Sequence, residues 1–256
     1  PNMQGMFKES HFNGNISDWD VSNVTNMHEM FFNAYDFNGD LSNWDVSSVT
    51  TMWRLFEGAT SFNQDISSWD VSNVTNFWGV FSGATSFNQD ISGWDVSSAT
   101  SMHGMFRYTS FNPDISGWDV SNVISMNWMF CNNQQFNQDI SGWDVSSLGH
   151  MESMFQDAAS FNQNISSWDV SNVTNWNNTF SGTNALSEYN LCAIHSSWSV
   201  QNDAWPYDWS QICENLWCQP TIAAIEDTSM DEDSELVLQL AAESEDGYDT
   251  YFEAQS

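Results

Sequence analysis

The sequence predicts an α/β solenoid, a right-handed stack of coils that each pair a short parallel strand with a short helix. Three observations carry this. A W-D-V-S string recurs at Trp19, Trp44, Trp69, Trp94, Trp118, Trp143 and Trp168, at spacings of 25, 25, 25, 24, 25 and 25 residues. A fixed period in this range marks units that bury their apolar faces against one another. Within each unit the apolar rhythm switches from the period of a strand to that of a helix. After Phe180 the rhythm stops and the composition changes.

The unit running from Phe62 to Phe81 shows the elements in order. Ile66, Trp69, Val71 and Val74 follow the spacing apolar-x-x-apolar-x-apolar-x-x-apolar. Trp69 and Val71 stand two apart, on one face of an expected strand, with Asp70 on the other. Phe77, Val80, Phe81 and Ala84 then fall at i, i+3, i+4 and i+7, the stripe of a short helix, as do Met27, Met30, Phe31 and Ala34 or Met151, Met154, Phe155 and Ala158. Ser, Asn or Thr ahead of the stripe offer N-caps, and a Phe-Asn pair (Phe37-Asn38, Phe62-Asn63, Phe87-Asn88) closes the coil. Right-handed crossovers follow from strand twist. Stacked equivalents would form the core, each large aromatic contributing up to ~3 kcal/mol on burial.

The repeated string N-x-D-I-S-x-W-D-V-S-x-V-T-x-M-x-x-M-F-x-x-A, over residues 1–182, resembles the repeat of BspA-like leucine-rich-repeat surface proteins. That resemblance implies an exported, cell-surface or secreted protein used in adhesion or protein–protein contact, without enzymatic activity. It transfers no binding residue, because the binding residues of such arrays vary.

Composition narrows the partners. The chain of 256 residues carries 34 acidic and 3 basic residues, a formal net charge of -31, and the bases are Lys8, Arg54 and Arg107. Phosphate binding needs clustered cations, so nucleic acid is excluded as a partner, and an anionic membrane surface on the same ground. Such a surface calls for a salty or calcium-rich medium to screen its self-repulsion. No apolar run has the length of a membrane span. Asn2-Met3-Gln4-Gly5-Met6-Phe7 matches the middle of a repeat, as in Asn26 to Phe31, so the chain is expected to begin inside a coil of a longer polypeptide.

Two columns of acids are expected outside. One is Asp20, Asp45, Asp70, Asp95, Asp119, Asp144 and Asp169; the other is Asn15, Asp40, Asp65, Asp90, Asp114, Asp139 and Asn164. At a strand spacing of ~4.8 Å, neighbouring charges repel by ~1 kcal/mol in water and ~3 kcal/mol at an effective dielectric of 20. Each Asp can accept backbone hydrogen bonds in the Ser-x-Val turn that follows it; alternatively the first column is a binding surface for divalent cations or cationic partner groups. The recurring Asn of the Phe-Asn pair predicts an internal amide column. Thr25, Thr50, Thr75, Thr100 and Thr174 form a partial threonine column, interrupted at Ile124 and Gly149, a weak basis for ice or carbohydrate binding.

Residues 183–220 read as a C-terminal cap holding Cys192, Cys213 and Cys218. A zinc site from Cys192, His195, Cys213 and Cys218 has tolerable spacing. A Cys192–Cys213 disulfide suits an exported protein better, and Cys131 lies alone in the array. Residues 221–256 contain strand-like segments and acidic loops that resemble bacterial cadherin-like, immunoglobulin-type modules. That resemblance implies a partial all-β segment in which Asp231, Glu232, Asp246 and Asp249 could share a calcium ion. No other cofactor is implied. No P-loop, dinucleotide fingerprint or nucleophile elbow occurs. The expected function is a non-catalytic extracellular interaction or adhesion module that contacts other proteins or copies of itself. The alternative is a subunit of a homo-oligomeric filament completed by strand addition.

Overall fold

The computed structural model describes residues 1–217, 240–242 and 250–252. Residues 1–187 form a stack of coils, and the α/β class expected from the sequence is wrong for it. Among the described residues, helices occur only at α1 (Glu188–Gln201) and α2 (Ser210–Trp217). Strands occur only at β1 (Leu240–Ala242) and β2 (Thr250–Phe252), an antiparallel pair with Leu240 opposite Phe252. Neither the strand nor the helix expected in every coil is present, so the leucine-rich-repeat-like description of the coil does not hold. What remains of the strand is one parallel bridge per coil, running Asn2, Asn26, Thr51, Asn76, Ser101, Ser125, His150, Asn175.

The reason lies in where the backbone N–H groups go. In Met27 to Ala34, the expected helix, Met30, Phe32 and Ala34 donate to Met27, Glu29 and Phe31 three residues back. The alternate residues Met27, Glu29, Phe31 and Asn33 donate instead to Thr51, Trp53, Leu55 and Glu57 of the next coil, at 2.7 to 3.4 Å. This is a run of consecutive turns. Glu29 and Asn33 sit at φ 53° in the left-handed region, at the third residue of their turns, where a type II turn needs positive φ. The same two positions are left-handed in every coil, occupied by Gly at Gly5, Gly58, Gly79, Gly83, Gly104 and Gly182 and by other residues elsewhere. A non-glycine residue pays about 1–2 kcal/mol for this conformation. The hydrogen bond that each such N–H makes to the next coil opposes that cost.

Burial follows the expected stripe even though the helix is absent. Met27, Met30, Phe31 and Ala34 are fully buried, as are their equivalents in later coils. A turn run with hydrogen bonds every second residue and a helix can therefore hide the same positions. Phe31, Phe56, Phe81, Phe106, Phe130 and Phe155 stack coil over coil with ring centroids 5.4 to 6.0 Å apart. A second phenylalanine column lies against it, Phe31 to Phe37 at 4.0 Å and Phe56 to Phe62 at 3.9 Å. The W-D-V-S indoles from Trp44 to Trp168 are 1–4% exposed. Each donates its Nε1–H to a carbonyl of the preceding coil, Trp69 to Leu41 at 3.0 Å and Trp94 to Ile66 at 3.1 Å. The indole thus fills the core and satisfies a buried carbonyl in one placement. Trp19, in the first coil, is 39% exposed.

The α1 helix covers the last coil. Trp198 stacks on Trp168 at 6.1 Å and is fully buried, continuing the indole column. Its polar side chains hold the last coil: Asn190 donates to Asn162, as Gln163 does to Asn137 between coils, and Gln201 accepts from the Val170 N–H, a bond the coils do not make. Asn202, the C-cap of α1, donates to the carbonyls of Val170 and Val173. Ser187 caps the helix start by accepting from the Asn190 N–H. Cys192 of α1 and Cys213 of α2 are joined as a disulfide, with Cα atoms 5.0 Å apart.

Candidate functional site

The first acid column is exposed, and each of its carboxylates is engaged locally. In all seven copies the Ser two residues on donates its N–H to the Asp Oδ1, at 3.0 to 3.1 Å. In Asp20, Asp45, Asp70, Asp95 and Asp119 the same Ser also donates its hydroxyl, at 2.6 Å. The Ser hydroxyl and then the Ser N–H hold Asp20, Asp45 and Asp95 below the usual carboxylate value. The column repels itself nonetheless, since Asp20 pushes Asp45 upward and Asp144 pushes Asp169. The second column repeats the motif, for example Ser67 N–H on Asp65 at 2.9 Å. Among the described residues, no group of three or more His, Cys, Asp or Glu side chains converges as a metal ion needs.

The amide column exists, but at the surface. Asn13 accepts from the Asn38 N–H, Asn38 from Asn63, and so on to Asn162, which accepts from Ser187, all at 2.8 to 3.0 Å. It splints coil to coil without entering the core. Of the zinc set, Cys192 and Cys213 are bonded to each other and His195 Nδ1 lies 3.2 Å from Trp205 Nε1. Cys131 is buried and free. Cys218, Asp231, Glu232, Asp246 and Asp249 lie outside the described residues.

Sequence reasoning missed a groove on the face formed by the turn run. Three positions there change chemistry from coil to coil while the core repeats. One reads His28, Trp53, Trp78, His103, Asn127, Glu152; the next Glu29, Arg54, Gly79, Gly104, Trp128, Ser153; the third Phe32, Glu57, Ser82, Arg107, Cys131, Gln156. Where Gly79 and Gly104 omit side chains, a cavity of about 330 Å³ opens. An aromatic row borders it: His28 to Trp53 at 3.8 Å, Trp53 to Trp78 at 5.2 Å, Trp78 to His103 at 4.8 Å. Trp78 is 41% exposed, unlike the W-D-V-S indoles from Trp44 to Trp168.

All three cations of the chain lie on this face, in different circumstances. Lys8 pairs with Glu29 at 2.7 Å, and Arg54 bridges Glu29 at 2.9 Å and Glu57 at 2.5 Å. Arg54 also lies over the Phe32 ring at 4.3 Å. The Glu57 hydrogen bond raises the Arg54 pKa, and the Lys8 hydrogen bond lowers that of Glu29. Arg107 makes no ion pair among the described residues. Its guanidinium lies over Trp128 at 4.2 Å and donates to the Tyr108 hydroxyl at 3.2 Å, while its buried Nε–H has no partner. Burial, and then Arg107, lower the pKa of His103, so this ring is neutral near pH 7. The signal for the groove was present in the sequence as departures from the repeat: two extra Trp, two consecutive Gly copies and the only Arg residues, all at neighbouring coil positions.

Two overlapping stretches, residues 1–110 and 80–198, match the family described as "Mycoplasma protein of unknown function, DUF285". The chain belongs to that family. Membership is consistent with the resemblance to BspA-like surface repeats and assigns no activity. No match was found among curated proteins or among solved structures. Among the described residues, no helix is long and apolar enough to cross a membrane.

Proposed function

We propose that this chain is a non-catalytic extracellular or cell-surface recognition module, with the coil stack serving as a rigid scaffold for one variable face. The observation that carries this is the division of labour between core and turn run. The Trp and Val of W-D-V-S and the Phe stacked beneath them recur in every coil, and the Met positions stay buried where they change, as at Leu55, Phe77 and Val80, whereas the three turn-run positions differ in charge, size and aromaticity from one coil to the next. A scaffold that varies only where it faces outward presents a specific surface without altering its fold. The disulfide supports an oxidising location. The charge of -31 supports contact with proteins or small ligands over nucleic acid. Adhesion is the proposed use, and calcium a proposed ligand of the acidic residues beyond the array.

Two measurements test this. Antibody labelling of intact, unpermeabilised producing cells should detect the protein, and non-reducing mass spectrometry of the recovered material should find Cys192 joined to Cys213. Recovery only from the cytosol, with both thiols free, would sink the reading. Electron microscopy separates an isolated module from the filament alternative, which requires extended polymers.

A further inference from the structure

We propose that the groove between the second and fifth coils binds an acidic sugar, its ring laid on Trp78 and its carboxylate held by Arg107. The proposal rests on the reading of the variable face as a recognition surface and names the ligand chemistry of that surface. Four observations converge. The cavity of about 330 Å³ is of the order of a small-ligand site and takes one or two sugar rings. Trp78 presents 41% of its surface beside it, a flat apolar face of the kind that covers the C–H face of a pyranose. Gly79 and Gly104 are both left-handed, at φ 63° and 60°, and keep the floor clear; a Cβ at Gly104 would meet nothing nearer than Arg107 Cβ at 4.0 Å. Arg107 brings a guanidinium with an unpartnered, buried Nε–H, the donor that completes a bidentate grip on a carboxylate.

Charge selects the class further. The other two cations are already neutralised by Glu29 and Glu57. Among the described residues Arg107 has no counter-ion in a protein of net charge -31, so its guanidinium is the one open to a ligand's anion. A dense polyanion would be repelled by the surrounding field. An isolated carboxylate on a mostly neutral ring places its one charge at Arg107 and leaves neutral hydroxyls beside Glu57. Glu57 at the groove wall can accept from ring hydroxyls, which suits a sugar and opposes an acidic peptide.

The test is calorimetric titration of the full chain with a disaccharide probe of one uronate ring joined to one neutral ring, the matching neutral disaccharide and a hexaglutamate peptide, at 0.1 M salt. The expected result is saturable binding of the uronate, with the neutral sugar and the peptide at least tenfold weaker. Arg107→Gln and Trp78→Ala should each weaken uronate binding tenfold or more without shifting the melting temperature by more than a few degrees. Gly104→Trp is a second route. Trp128 occupies the equivalent left-handed position one coil on, at φ 63°, so the backbone accepts an indole there, and this one should fill the groove and abolish binding. No saturable uronate binding, unchanged binding by the well-folded Arg107→Gln protein, or equal binding of the peptide would each overturn the proposal. Surface labelling would be untouched by such a failure, so the recognition-module reading and this inference fail separately.

Discussion

The joint between two coils and the joint between the last coil and α1 solve one problem with different materials. Between coils, the seam is backbone to backbone: four alternate N–H groups of each turn run meet four carbonyls of the next. An indole Nε1–H adds a further bond across the seam. At the end of the stack, α1 has its own backbone groups engaged in the helix, so side chains must reach across. Gln201, Asn202, Asn190 and Ser197 do so, bonding to Val170, Val173, Asn162 and Ser166. Trp198 supplies the ring for the indole column, but its Nε1–H is buried without a partner. The repeat seam is therefore redundant and backbone-encoded, whereas the cap seam hangs on a few polar side chains. An array can lengthen or shorten by whole coils, but its end needs a specific sequence.

The largest effect should come from the repeat seam. Trp94→Ala removes a buried indole and one of the two hydrogen bonds to the Ile66 carbonyl, which keeps that from the Trp69 N–H, and should cost ~3–5 kcal/mol in urea unfolding. Trp198→Ala removes an equal ring without a hydrogen bond, so its loss should be smaller. Hydrogen exchange should place that loss in residues 160–205 rather than across the array. If the two variants lose the same stability and exchange alike, the seams are energetically equivalent and the contrast fails. Next comes the staple: reducing Cys192–Cys213, which span 21 residues, should cost roughly 3 kcal/mol in the chain-entropy view. That loss too should be confined to α1 and α2. Asn202→Ala follows at about 1–3 kcal/mol, the cost of leaving the Val173 carbonyl unbonded in a part-buried setting while the Val170 carbonyl keeps only the Val173 N–H.

The same contrast explains what was legible in the sequence. The stacking of equivalent residues, the buried Trp and the buried Met-x-x-Met-Phe stripe could all be read, because apolar spacing reports burial directly. The helix could not. A period of i, i+3, i+4, i+7 is shared by a helix and by this run of turns, and apolar spacing does not say where an N–H group donates. Glycine carried the missing information. Gly79 and Gly83, four residues apart within one supposed helix, fit two left-handed turns better than a helix interior. The groove stayed hidden for a related reason: averaging the repeats discards the positions that differ, and Trp53, Trp78, Gly104 and Arg107 are informative only as exceptions.

The smallest effect belongs to the acid column and tests whether the exposed turns contribute to the repeat seam at all. The carboxyl groups of Asp20, Asp45 and Asp95 have folded pKa values below their ordinary ones, chiefly through the hydroxyls of Ser22, Ser47 and Ser97. A depressed folded pKa means that the stabilisation is present above the unfolded value, ~3.9 for Asp, and is lost as pH falls through the folded value. Protonation also relieves the mutual repulsion of the column, which acts in the opposite direction. Concentrated salt separates the two, because ~1 M ionic strength shortens screening to about 3 Å and leaves the short Ser–Asp bonds in place. In 1 M salt the melting temperature should therefore fall between pH 5 and pH 2.5. In a Ser22→Ala, Ser47→Ala, Ser97→Ala triple variant it should fall less, with the carboxyl titrations of the three Asp residues moving up toward ordinary values by NMR. A wild-type array whose melting temperature rises on acidification even in high salt would show that repulsion, rather than the turns, governs this face.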